Sequence, residues 1–402
     1  MQEAGLFAPD SAAATALTRA GTIVEAAHFE RLQADALLRL RGACVGAPEW
    51  SDATDGGDAV MIGAPAAHSP AEGRSALGWT GASALSGGQC VVWRGAQRVA
   101  EALEGEVAAL HGSDDSLRCG AACKTLEDAA DLYRVLVAAA CQPYESARKA
   151  LVHTNSLRYL ADAVTLLPLT LPPDATAREP LVAAAAASAA VLAGAAAEEQ
   201  AQFVERFAAR VVNTIDALPD LRGLKVKAGL DARKSVQRAC KALRSVSEAL
   251  ARACTPEMHV ALYAAALGRV CAAAASKVLA LQDISPQDCD DIHGVLEPLW
   301  TDPVAVAAAH LASGVDGAPP GLPGWTAADA EVVLRGACEG ARKLAAVGYT
   351  LKARMADIAE AWEGGELRGA GLGAGDVVHM LRAVFEDNPH QRQCIARVRA
   401  VS

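Results

Sequence analysis

Apolar residues recur three and four positions apart along most of the chain, the spacing of helices that bury one face. Between Asp231 and Cys254 a single stripe is kept by Val236, Ala239, Cys240, Leu243, Val246, Leu250, Ala253 and Cys254. The next helix opens at Thr255-Pro256, a side-chain cap followed by a proline whose missing N–H costs nothing there. It runs through Leu262, Ala266, Leu267, Val270, Ala274 and Val278. Ser285-Pro286-Gln287-Asp288 and Thr326-Ala327-Ala328-Asp329 each place an acid three residues after a hydroxyl, which predicts two further helix starts. A helical pattern from Ala12 to about Leu40 has no capping residue to open it, so residues 1–44 read as the end of an upstream helical domain. From Cys90 onward no strand or hairpin is predicted, and Pro/Gly clusters at 172–180, 218–230 and 313–325 mark the breaks. The expectation is an all-α protein with helical bundles at 90–230 and 231–402, joined by short turns. No constant period supports a regular solenoid.

Residues 45–89 lose the periodicity to Gly, Ala, Ser, Pro and Asp, and predict a flexible acidic linker carrying Trp50 and Trp79. Composition agrees with helices: aromatics at 4% starve an all-β core, while abundant alanine suits close helix packing. The net charge of -10 argues against a dedicated nucleic-acid binder, whose affinity rests on neutralising phosphates. One stretch runs against that charge. From Arg222 to Arg252 nine bases face only Asp231 and Glu248, and on the helix from 231 they lie opposite the apolar stripe. Such a face is either simply solvated or a docking face for an acidic partner or anionic lipid, with Arg238, Lys241 and Arg244 as its candidate residues.

Candidate chemistry is thin. The 11 cysteines are scattered and odd in number, which predicts reduced, semi-buried thiols in a cytosolic protein. No secretory signal occupies the first thirty residues, and the 17 uncharged residues from Leu181 to Ala197 are too short and too alanine-rich to predict a membrane span. Cys119 with Cys123, and Cys289 with His293, sit one helical turn apart, but neither has a second pair nearby, so a shared buried stripe is preferred to a metal site. Asp290-Asp291-Ile292-His293-Gly294 resembles the magnesium-binding acidic box of helical isoprenoid synthases, yet glycine stands where the last acid is needed. The glycines at 369, 371, 373 and 375 follow helical text and lack the Lys-Ser/Thr of a phosphate loop. No catalytic residue, metal or cofactor is assigned, and an all-α enzyme of unknown chemistry is the outside alternative.

Two distant segments carry a resemblance. KVLALQDISPQDCDDI, residues 277 to 292, and ADIAEAWEGG followed by DVVHMLRAVFEDNPHQRQCIARV near the C-terminus resemble the centromere/kinetochore zeste-white ten family. Weaker likeness lies at His153–Leu160, at Arg233–Leu250 and at residues 22–43. The glycine string before Asp376 departs from the family pattern, as does the lack of its N-terminal coiled-coil half. The resemblance implies an elongated stack of antiparallel helix bundles of the tethering-complex rod type. It implies a non-enzymatic scaffold subunit of an endoplasmic-reticulum vesicle tether in Golgi-to-reticulum retrograde transport. Its partners would be Rint-type and NAG/Rod-type subunits and, indirectly, reticulum SNAREs, with membrane association only through them. A kinetochore checkpoint scaffold is the alternative within the family. By likeness to the acidic lasso of a related tether subunit, Trp50 with Glu49, Asp52 and Asp55 is a candidate contact for a vesicle coat.

Overall fold

The computed structural model describes residues 12–45, 59–62, 90–111, 115–140, 147–219, 221–224, 226–314 and 325–401. The fold is all-α, and by internal contacts it divides into two compact units, Met1–Glu199 and Gln200–Ser402. The division falls inside a helix, upstream of the 230/231 boundary that the Pro/Gly cluster suggests.

In the first unit, α1 (Ala12–Val45) packs on α2 (Arg94–Ala108) and α3 (Ser116–Ala140), so it belongs with the bundle that follows it. Leu103, Leu126, Tyr133, Leu157 and Leu160 form the core, closed by α4 (Ala147–Leu166) and the first part of α5 (Arg178–Asp216). The alanine run of α5 is helical because alanine gives up no side-chain entropy. It buries Leu181, Ala184, Ala185, Ser188, Ala189, Leu192 and Ala196, while Ala183, Ala186, Ala187, Ala190 and Val191 face outward.

One departure from the sequence reading is a two-stranded antiparallel ribbon. β1 (Ala59–Ile62), inside the expected linker, pairs with β2 (Cys90–Trp93), Val60 opposite Val92. The outer edge of β2 is held by α4: Asn155 Nδ2 donates to Val91 O at 3.0 Å, and Trp93 N donates to Ser156 Oγ at 2.9 Å. Ser156 Oγ in turn donates to Val152 O at 2.6 Å, so the buried strand edge has partners without further strands.

The second unit is built on α6 (Val226–Ala253), α7 (Pro256–Leu279), α8 (Pro286–Ser313), α9 (Ala327–Ala337) and α10 (Glu339–Lys352). Here α6 packs on α8, and α10 on α7 and α8. A smaller group, α11 (Met355–Glu363), α12 (Glu366–Gly369), α13 (Ala374–Val384) and α14 (Pro389–Ala400), joins it through α13. The caps form as the sequence predicts. Thr255 Oγ1 accepts from Met258 N, and Ser285 with Asp288 and Thr326 with Asp329 make reciprocal boxes.

Helix α8 carries Pro298 and Pro303 in its interior, and Pro303 has no N–H to give the carbonyl of Leu299 four residues back. The fully buried Cys271 thiol of α7 points at that orphaned oxygen, Sγ to Leu299 O at 3.8 Å. Beside it Tyr263 donates its hydroxyl to Pro303 O at 2.9 Å, and Cys240 Sγ reaches Pro298 O at 3.5 Å. Carbonyls around the two prolines are thus served by side chains of two neighbouring helices. Cys271→Ala is expected to cost about 2 kcal/mol, from a small cavity and a carbonyl left without its donor. Chemical denaturation checks this, and a loss under about 0.5 kcal/mol would mean the carbonyl finds another partner.

Candidate docking surface

The stripe predicted for α6 is buried throughout, from Val236 and Leu243 to Leu250 and Cys254, so the bases opposite it are forced outward. Arg233, Lys234, Arg238, Lys241, Arg244 and Arg252 are all exposed. Half of this charge is spent within the chain. Arg244 reaches Asp302 of α8 at 3.2 Å, Arg252 pairs with Glu248 at 2.7 Å, and Lys234 lies 4.0 Å from Asp231. Arg238 donates to Ser235 Oγ at 3.0 Å but, like Arg233 and Lys241, makes no ion pair among the described residues. Of the three candidates, Arg238 and Lys241 are therefore available to an acidic partner, one helical turn apart, whereas Arg244 is shared with Asp302. Glu49, Trp50, Asp52 and Asp55 lie outside the described residues.

Behind the α6 face sits a polar node that the sequence does not announce. Ser247 is buried on α6, with its hydroxyl 3.1 Å from His259 Nε2 and 2.9 Å from His310 Nδ1. One hydroxyl carries one proton, so Ser247 donates to at most one ring and at least one ring must donate to it, which couples the two tautomers. Burial pushes His259 down to about 3, helped by the neighbouring His310, and Tyr263 presses on it edge-on at 5.9 Å. Burial also lowers His310, against the nearby Glu248. The arrangement brings a serine to two imidazoles, but Ser247 and His259 are almost wholly enclosed, so what it does in this fold is tie α6, α7 and α8 together.

The paired metal candidates resolve into core contacts. Cys119 donates its thiol to Ala177 O at 3.8 Å, and burial pushes Cys123 up to about 12. Cys289 is buried with its thiol likewise raised by burial, and His293 stacks edge-on against Trp300 at 5.7 Å. Cys90 is raised to about 12 and Cys240 to about 11 by the same cause. Such thiols stay protonated near neutral pH, which suits packing rather than thiolate chemistry. Among the described residues no three His, Cys, Asp or Glu side chains converge to hold a metal ion.

The segments that carry the resemblance meet in space. In the turn after α7, Leu281 O lies 2.7 Å from His379 Nε2 of α13, and Ile284 N donates to Ala383 O at 2.8 Å. Lys277 sends three hydrogen bonds, at 2.7 to 3.1 Å, to the carbonyls of Ile215, Asp216 and Leu218, closing the C-terminus of α5 with a charge of the favourable sign. Asp288 adds a bond from Gly223 N at 2.6 Å to its capping box. By length and composition α5 and α7 would each suffice to cross a membrane, although α7 is mostly buried in its bundle. No protein-family model matches the chain, and no curated protein matches it.

Proposed function

We propose that this chain is a non-enzymatic scaffold subunit of an endoplasmic-reticulum vesicle tether in Golgi-to-reticulum retrograde transport, held at that membrane through its partners. The observation that carries a docking role is the α6 face, where Arg238 and Lys241 stand exposed on a helix fixed from behind by its apolar stripe and by Ser247. A rigid helix presenting charges without ion pairs binds an acidic surface at little entropic cost. The tether assignment itself rests on the resemblance, and the junction of Lys277, Leu281, Ile284, His379 and Ala383 gives its two distant segments a shared structural reason to occur in one chain. The partners proposed are an α-solenoid subunit of the NAG/Rod type, a Rint-type subunit, and reticulum SNAREs through them.

Capture of the tagged full chain from gently lysed interphase cells is expected to return reticulum SNAREs and tether subunits. Arg238→Glu with Lys241→Glu should lower recovery of the directly bound subunit about ten-fold while leaving the thermal midpoint in place, since neither residue has an ion pair to lose. Recovery of kinetochore subunits in mitosis alone would replace the tether reading with a checkpoint scaffold. Recovery of neither set would overturn both.

A further inference from the structure

The two closing helices, α13 and α14, leave an open groove of about 950 Å³. Phe385, Ile395 and Ala396 give it an apolar lining, and Arg382, Arg392 and Arg399 bring three guanidinium groups to it. Asp387 is the acid among the lining residues, and it is already committed to Arg392 by a two-bond fork, both bonds at 2.9 Å. Arg392, seconded by Arg382, holds that carboxyl below the usual range. Arg382 and Arg399 are exposed and make no ion pair among the described residues. The groove is therefore locally positive in a chain whose net charge is -10.

Its walls are set before anything binds. Gln391, buried between the helices, donates through Nε2 to Leu381 O at 2.9 Å and to Phe385 O at 2.8 Å, satisfying carbonyls at the end of α13. Asn388 caps α14 by accepting from Gln391 N at 2.8 Å, and the Trp362 indole donates to Val398 O at 3.0 Å. A groove with fixed walls spares a ligand the cost of ordering it.

We propose that this groove binds an acidic amphipathic segment of a partner protein, its carboxylates on Arg382 and Arg399 and an apolar side chain against Phe385 and Ala396. Charge complementarity selects the occupant. A phosphate surface would satisfy the guanidiniums and leave the apolar lining in water, whereas an acidic segment with an aliphatic or aromatic anchor covers both. The groove lies on helices other than α6, within one of the two segments that carry the resemblance, but its occupant follows from its own lining and not from the tether reading.

The test is a displayed library of random peptides panned on the full chain, followed by binding of the selected peptides to variants. Acidic peptides carrying a Trp, Phe or Leu anchor are expected to be enriched. Their binding should weaken about ten-fold on Arg382→Glu with Arg399→Glu, and again on Ala396→Glu, which puts a carboxylate into the lining. It should be unchanged on Arg238→Glu with Lys241→Glu, which separates this groove from the α6 face. If no selected peptide loses affinity on either groove variant, the proposal is wrong. It is equally wrong if those variants lose only binding to phosphatidylserine vesicles or to duplex DNA, each assayed in parallel with circular dichroism as the check on folding.

Discussion

Gly340→Ala is expected to remove about 3–5 kcal/mol from the second unit, the largest loss from any single methyl group in it. Gly340 lies in the first turn of α10 where that helix crosses α7. A Cβ built on it would stand 2.6 Å from the carbonyl carbon and 2.8 Å from the Cα of Gly268, with the Gly268 oxygen nearer still. These are backbone atoms of a helix whose adjoining Leu267, Val270 and Cys271 are all buried, so α7 cannot yield without disturbing the core on its other side. Against a typical total of roughly 5–15 kcal/mol, the loss is enough to leave the unit marginal. The partner glycine predicts the opposite. A Cβ on Gly268 meets Cys338 Sγ and Gly340 N at 3.8 Å, ordinary contact, so Gly268→Ala should be neutral or gain up to about 1 kcal/mol of helix propensity. Urea unfolding of the two variants settles the matter. Similar midpoints for both would mean the crossing relaxes, and a Gly340→Ala loss below about 1 kcal/mol would remove the argument for a close backbone approach.

How much of this was legible in the sequence divides along a physical line. The stripe of α6 and the caps at Thr255, Ser285 and Thr326 depend on residues within a turn or two of each other, and each appears where the pattern puts it. The ribbon is not legible in the sequence because Ala59–Ile62 and Cys90–Trp93 are four-residue apolar runs far apart, with no tight turn between them to announce pairing. What makes the ribbon tenable is Asn155 and Ser156 on α4, and nothing near either strand records that. The α6 face was legible as a charge excess, but its division into committed and available bases needed Asp302, which sits on α8. The groove was illegible for the same reason: Arg382 is one helix away from Arg392 and Arg399. Gly340 stood in the sequence only as a helix glycine, and the carbonyl that requires it belongs to α7. Local chemistry is written locally, while convergence is a property of packing.

The Ser247–His259–His310 node leads to the other large effect, loss of stability in mild acid. His259 is held at about 3 in the folded chain against an ordinary 6.5, because its ring is enclosed and an imidazolium there would be stripped of water. Above pH 6.5 the ring is neutral folded or unfolded, and its contribution is fully present. As pH falls from 6.5 towards 3 the unfolded chain takes up a proton that the folded chain refuses, so stability falls with pH across that window and levels off below it. By pH 4 the loss from this one group is about 3 kcal/mol. In the first unit burial holds His153 at about 4, so it titrates with the same sign and both units share the acid limb. Carboxylates held below their usual range, Asp288 by Ser285 and Gly223 and Asp387 by Arg392, add their losses lower down, as pH drops through their depressed values. His259→Gln isolates the imidazole. At pH 7 the variant should be about 1–2 kcal/mol less stable, since the amide replaces the hydrogen bond to Ser247 imperfectly. Between pH 6.5 and 4, however, its stability should fall less steeply than that of the wild type, so the two curves converge and then cross before pH 4. Curves that stay parallel through that window would mean His259 is protonated in the folded chain, and the buried node would have to be neutralised by something other than the neighbours seen around it.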